Sequence, residues 1–200
     1  MAGDGETMIN EEGCLVYCVR EWLPKEETNK LFDILVKEIK WEKHEISVGG
    51  KKVLQPREIY GMGNDEIKQH KYSGLNLELH PWHSEVNKIK EEVNKKCNTV
   101  FDLNSCLLNS YKDGSQYIGF HSDKEAKGTI NVVVTLSLGG SRDFIFRYKK
   151  DKSRKIHTVL NSGDLIFMLG NTQKFWEHSV PKRSKGEHRI SLTFRELSSD

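Results

Sequence analysis

From Phe101 to Arg195 the chain alternates short runs rich in Val, Ile, Leu, Phe and Thr with turn dipeptides, and this pattern restricts the possible fold more than any other feature. Eight strands are expected, over residues 104–111, 117–121, 131–138, 143–148, 155–160, 164–168, 176–180 and 188–195. Asp113-Gly114, Gly139-Gly140, Ser162-Gly163 and Lys185-Gly186 separate them, each supplying residues that tolerate the backbone of a tight turn. Strands this short and this numerous point to a sandwich or barrel, and eight of them suit a double-stranded β-helix, the jelly roll.

The first hundred residues read differently. Residues 1–13 are small, acidic and aperiodic, and are expected to form a flexible tail. A helix should follow, with Pro24 in its first turn, Glu26 and Glu27 at the positive end of its dipole, and Leu31, Ile34, Leu35 and Ile39 on one face. A second helix is expected over about 82–97, with Trp82, Val86, Ile89 and Val93 as its apolar stripe. Residues 44–80 read as rich in loops: Gly49-Gly50 suits a hairpin turn, while Pro56, Gly61, Gly63 and Gly74 interrupt regular structure. The expected class is therefore α+β, a jelly-roll core over 101–197 with N-terminal helices packed on one sheet, in a single domain over 14–200. A chain of 200 residues buries a core of its own without covalent staples.

A formal net charge of +2 does not by itself argue for nucleic-acid binding. Local charge is more informative. Lys149, Lys150, Lys152, Arg154 and Lys155 crowd one stretch, and Lys182, Arg183 and Lys185 another; these are either solvated turns or patches that contact phosphates. Cys14, Cys18, Cys97 and Cys106 lack the paired spacing of a zinc site and read as reduced thiols. No apolar run approaches membrane-spanning length, and residues 1–13 hold no apolar leader segment. The expectation is an intracellular protein, nuclear or cytoplasmic rather than secreted, monomeric and without a membrane partner.

Chemistry concentrates in three places. His121-Ser122-Asp123 is an H-x-D pair at a strand end, and residues two apart in an extended segment point to the same side. His178 follows 55 residues after Asp123, counting 178 − 123, in another expected strand. Two histidines and one carboxylate form the facial triad of non-haem iron(II) sites, which leaves coordination positions open for a bidentate co-substrate and dioxygen. An H-x-D pair alone is equally a surface His beside a turn Asp. The last strand adds to it: Arg189, Ser191, Thr193 and Arg195 share one face and Ile190, Leu192 and Phe194 the other. That face is either the solvated side of an edge strand or a site for a dicarboxylate, which guanidinium forks bind bidentately. If His121 and His178 are ligands, activity should fall at acidic pH as they protonate and release metal.

Taken together, Asn109-Ser110-Tyr111-Lys112-Asp113-Gly114, Ile118-Gly119-Phe120-His121-Ser122-Asp123, Ser141-Arg142-Asp143-Phe144-Ile145-Phe146-Arg147, Trp176-Glu177-His178-Ser179-Val180-Pro181 and the run from Arg189 to Arg195 resemble the AlkB family of Fe(II)/2-oxoglutarate-dependent nucleic-acid demethylases. The likeness runs from about residue 55 to 196. Pro56-Arg57, Tyr60-Gly61 and Tyr72-Ser73-Gly74-Leu75 bring it nearest to the duplex-DNA-repairing animal members. The resemblance implies His121, Asp123 and His178 as metal ligands and catalytic centre. It implies Asn109, Tyr111, Arg189, Ser191, Thr193 and Arg195 as the 2-oxoglutarate site. One departure is visible: the family's final motif is usually R-x-N-x-T-x-R, and this chain has Ser191 in place of the Asn. Serine is shorter and lacks the amide donors.

The implied activity is oxidative removal of N-methyl groups, of the 1-methyladenine and 3-methylcytosine type, from DNA or RNA, with release of formaldehyde, succinate and carbon dioxide. A base inside a duplex must be flipped to reach such a site. The resemblance implies Tyr72 as an aromatic platform opposite His121, with Ser73 beside it, and Glu125 as an acceptor for an exocyclic amino group. Arg57 is expected at the rim, and residues 14–100 would carry the helices and nucleotide-recognition loops. Two other readings keep some of these features: a 2-oxoglutarate-dependent hydroxylase or demethylase acting on protein, and an inactive nucleic-acid-binding module.

Overall fold

The computed structural model describes residues 5–48, 50–67, 69–72, 75–96, 101–123 and 131–197. In chain order its elements are β1 (Glu6–Glu11), β2 (Cys14–Val19), α1 (Lys25–Glu38), β3 (Glu45–Val48), β4 (Lys51–Leu54), β5 (Glu58–Gly63), β6 (Gln69–Tyr72), β7 (Leu75–Glu78) and α2 (Ser84–Lys96). Then follow β8 (Ser105–Tyr111), β9 (Ile118–His121), β10 (Val132–Gly139), β11 (Arg142–Tyr148), β12 (Lys155–Leu160), β13 (Leu165–Gly170), α3 (Thr172–Phe175), β14 (Trp176–Val180) and β15 (Arg189–Arg195).

The eight expected strands are β8 to β15, and they are dealt between two sheets. β8, β10, β13 and β15 enter a seven-stranded sheet of order β1-β2-β13-β10-β15-β8-β5, while β9, β11, β12 and β14 form a four-stranded sheet of order β12-β11-β14-β9. The N-terminal half adds β1 and β2 to one edge of the large sheet and β5 to the other. The molecule is thus mostly β, a jelly roll with few helices.

Period-two alternation sorts side chains between two cores. Val132, Val134, Leu136 and Leu138 of β10 join Ile190, Leu192 and Phe194 of β15 in one cluster, which also holds Leu31, Leu35 and Ile39 and, from α2, Val86, Ile89 and Val93. Val133, Ile166 and Met168 turn the other way and meet Phe144, Phe146, Trp176 and Val180 of the small sheet. The opposite faces of the large sheet therefore serve different clusters. β15 lies between β10 and β8 rather than at an edge, and all seven of its residues are buried. The reading of its arginines as a solvated edge is excluded.

Two expectations about the N-terminal half are corrected. Residues 6–11 are a strand, not part of a loose tail: β1 pairs antiparallel with β2 through Glu6↔Cys18 to Glu11↔Cys14. The turn between them has positive φ at Glu12 (49°) and Gly13 (72°), the mirror-image geometry whose twist suits a hairpin. Arg154 and Tyr148 hold this turn through Glu11 and Glu12, at 2.8 and 2.9 Å. Residues 58–63 likewise form β5, despite Gly61 and Gly63. Gly61 lets Leu79 pass close, since a Cβ there would lie 2.7 Å from Leu79 Cδ2 and that side chain would have to shift. The expected hairpin near Gly50 is present as β3–β4; Gly49, Gly74 and Cys97 lie outside the described residues.

Arg20, just past β2, fastens both sheets. Its Nη1 donates to Asp164 Oδ2 and to the Val159 carbonyl, each at 2.7 Å, and its Nη2 to Thr158 Oγ1 at 2.9 Å.

Candidate metal and co-substrate site

The three H-x-D…H residues converge because β9 and β14 are neighbours in the small sheet. His121 and His178 are direct cross-strand partners, and their ring centroids lie 4.3 Å apart. Asp123 follows past the end of β9, its Oδ1 3.8 Å from His121 Nε2 and its Oδ2 3.6 Å from His178 Nε2. One ligand atom from each of the three lies within 4.8 Å of the others. His121 Nδ1 is engaged with the Gly119 carbonyl at 2.9 Å, which leaves Nε2 for the site. His178 stacks on Phe144, with centroids 5.2 Å apart and planes 13° from parallel.

The electrostatics suit a divalent cation. Burial pushes Asp123 up, but the charges of Arg195, His178 and His121 outweigh it and hold the carboxyl below the usual carboxylate range. Arg195 Nη2 donates to its Oδ1 at 2.8 Å. Burial pushes His178 down to about 3, with His121 adding to the effect and Asp123 opposing it. Burial also lowers His121, again against the pull of Asp123. At neutral pH the set is therefore two neutral imidazoles and one carboxylate, the protonation state that metal ligation needs. In the metal-free protein His178 is thus held neutral well below the pH at which a free histidine titrates.

The cleft around these ligands has an empty volume of about 410 Å³, its open mouth included. All six residues expected to hold the co-substrate line it, namely Asn109, Tyr111, Arg189, Ser191, Thr193 and Arg195. The reason is register. Antiparallel pairing sets Tyr111 opposite Arg189 and Asn109 opposite Ser191, so polar residues of β8 and β15 form rows on the cleft face. Arg189 is 1% exposed. Its Nη2 donates to Ser137 Oγ at 2.8 Å, while Nε and Nη1 have no hydrogen-bond partner among the described residues. Burial pushes it down to about 10, while the Tyr111 hydroxyl beside it favours the charge. Buried donors without acceptors are costly, and a ligand carboxylate would satisfy them.

Arg57 is a second correction. It is 2% exposed, not at a rim, and its Nε donates to Asn109 Oδ1 at 2.7 Å. It belongs to the wall behind Asn109. Tyr72 ends β6 and pairs with Leu75 at the tip of the β6–β7 hairpin, while Ser73 and Glu125 lie outside the described residues. In the basic stretches, Lys152 is paired with Glu177 at 2.6 Å and Arg154 with Glu11 at 2.8 Å. Arg183 lies 3.8 Å from Asp143.

Sequence reasoning missed Thr135 and Phe144 in the cleft wall and Ser137 behind Arg189. Thr135 and Ser137 carried a signal: they are the polar interruptions of one face of an otherwise apolar strand, opposite Thr193 and Ser191 in register. Gln173, which touches Asp123, carried none.

Two imidazoles, a carboxylate and an arginine with unsatisfied donors in one cleft fit iron(II) and a dicarboxylate keto acid. The profile of the 2OG-Fe(II) oxygenase superfamily matches residues 15–195. The chain is 33% identical over 207 residues to the DNA oxidative demethylase ALKBH2 of Arabidopsis thaliana, covering 90% of this chain and 65% of that protein. It is 33% identical over 185 residues to the DNA oxidative demethylase ALKBH2 of Homo sapiens, covering 86% of this chain and 70% of that one. The chain thus spans about two thirds of the length of these relatives. The solved structure of OsALKBH1 shares the fold, with a TM-score of 0.62 at 18% identity, over 94% of this chain and 100% of that one. The chain belongs to the 2OG-Fe(II) oxygenase superfamily and, within it, to the AlkB family.

Proposed function

We propose that the protein is an oxidative demethylase that removes N-methyl lesions of the 1-methyladenine and 3-methylcytosine type from DNA or RNA. The observation that carries this reading is the shared cleft: the His121–Asp123–His178 cluster and the arginine face of β15 open into one space. The names of the two demethylase relatives direct it toward methylated nucleic acid.

In this reading His121, Asp123 and His178 hold iron(II), and Asn109, Tyr111, Ser191, Thr193, Arg189 and Arg195 surround 2-oxoglutarate. Iron(II), with 2-oxoglutarate and dioxygen, supplies the oxidation that releases the methyl carbon as formaldehyde and leaves succinate and carbon dioxide. The chain's own work is placement. Arg189 offers a carboxylate the N–H donors of Nε and Nη1, which have no hydrogen-bond partner among the described residues, and Arg195 keeps Asp123 ionised and aimed. Phe144 stacks on His178 and limits its rotation. Tyr72, Ser73, Glu125 and the open side of His121 receive the base, and the two hairpins before α2 belong to nucleotide recognition. Lys150 and Lys155 contact phosphates, so binding weakens with salt. Helices α1 and α2 back the large sheet, supported by the core they share with it. The protein acts as a monomer inside the cell, where its nucleic-acid substrate lies.

The test is a panel of 1-methyladenine and 3-methylcytosine oligonucleotides, DNA and RNA, single- and double-stranded, incubated with iron(II), ascorbate and 2-oxoglutarate. Loss of methyl with matching formaldehyde is expected for at least one member. Turnover of a peptide with no methyl loss from any oligonucleotide would overturn the reading.

A further inference from the structure

Asp123 stands two residues past His121, outside any strand, so its backbone N–H meets no ladder carbonyl. Gln173 takes that role: the Asp123 N–H donates to Gln173 Oε1 at 2.9 Å in a buried setting. Chemistry fixes which way this amide points. The N–H needs an acceptor, so the oxygen must face Asp123 and the NH2 must turn away, toward Met168 Sδ at 3.6 Å. Gln173 lies in α3, the turn that leads into β14 and His178. Beside it, Ser122 Oγ donates to the Trp176 carbonyl at 3.0 Å. The segment with two of the three clustered ligands is thereby tied to the segment with the third. Asp123 itself is held twice, at its carboxylate by Arg195 and at its main chain by Gln173.

We propose that Gln173 is a positioning residue of the metal site, its amide oxygen setting the main chain of Asp123 so that the carboxylate meets both imidazoles. This rests on the reading of His121, Asp123 and His178 as the ligands. Removing the acceptor strands a buried N–H, and the turn must shift to satisfy it. Groups that orient metal ligands typically change metal affinity by about tenfold or more when lost.

The experiment measures Mn(II) binding to the full chain, with Mn(II) alone, from the paramagnetic resonance signal of the free ion. His121→Ala must lose binding; if it does not, the ligand reading itself fails. With that control in place, Gln173→Leu is expected to weaken Mn(II) binding by about tenfold. Gln173→Glu keeps an acceptor and should stay within about threefold of the parent. Thr172→Val removes a bond from the same turn, Thr172 Oγ1 to the Leu169 carbonyl at 2.6 Å, and should lower Tm without changing affinity. Parent-like binding by Gln173→Leu would overturn the proposal, as would equal affinity losses in Gln173→Leu and Thr172→Val. Should Gln173→Leu fail to fold, Gln173→Met, which keeps the length of the side chain but not the amide oxygen, takes its place: a loss of about tenfold supports the role, and parent-like affinity contradicts it.

Discussion

Arg189 and Arg195 share one face of β15 but have different partners. Arg195 is committed to Asp123, whereas Arg189 spends one nitrogen on Ser137 and keeps two with no hydrogen-bond partner among the described residues. Lysine preserves the charge but not the fork. Arg189→Lys is therefore expected to raise the half-saturating 2-oxoglutarate concentration by on the order of tenfold, with oligonucleotide affinity unchanged in a parallel binding assay. His178 supplies a pH signature. In the unfolded chain a histidine titrates near 6.5, while burial holds the folded His178 near 3. Between those values the unfolded chain binds a proton that the folded one does not, so stability is full above about 6.5 and declines as pH falls toward 3. For the metal-free protein, urea unfolding at pH 7 and pH 5 checks this: His178→Phe should remove about 2 kcal/mol of the acid-side loss. The ligands and arginines were legible because their types and spacing carry the chemistry. Arg57 was misplaced because a charged residue between Pro56 and Glu58 reads as surface, and nothing local announces Asn109 as its partner.

Among the elements, β8 to β15 were legible because their short apolar runs are punctuated by turn residues; β8 and β15 are buried along their whole length, while β12 alternates between exposed and half-buried positions. β1 was not, because its solvent-facing alternation looks like an acidic tail until β2 pairs with it. β5 was hidden by its glycines, which mark the close passage of Leu79 rather than a break. Such pairings connect distant segments, and local propensity does not contain them. Arg20 shows their energetic weight, reaching Asp164 across 144 residues of chain. Asp164 is 1% exposed, so Arg20→Ala would leave a buried carboxylate without its cation. About 2 kcal/mol of destabilisation is expected, read as a lower urea midpoint at unchanged slope. A change below about 0.5 kcal/mol would show that Glu21 and Asn161 satisfy Asp164 unaided.

At the scale of the molecule, the two sheets have separate duties. The large one presents the arginine face, the small one presents both histidines, and Asp123 joins them through its bond to Arg195. The jelly roll thus brings a metal site and a dicarboxylate site together without either sheet holding both. The most direct measurement of this claim is anaerobic titration of the protein with iron(II) and 2-oxoglutarate, following the visible absorption that an α-keto acid gives on binding iron(II). The parent protein is expected to develop the band at one equivalent of metal, Asp123→Ala to lose it, and Arg189→Lys to need more 2-oxoglutarate to reach it. An undiminished band in Asp123→Ala would contradict the assignment of the site.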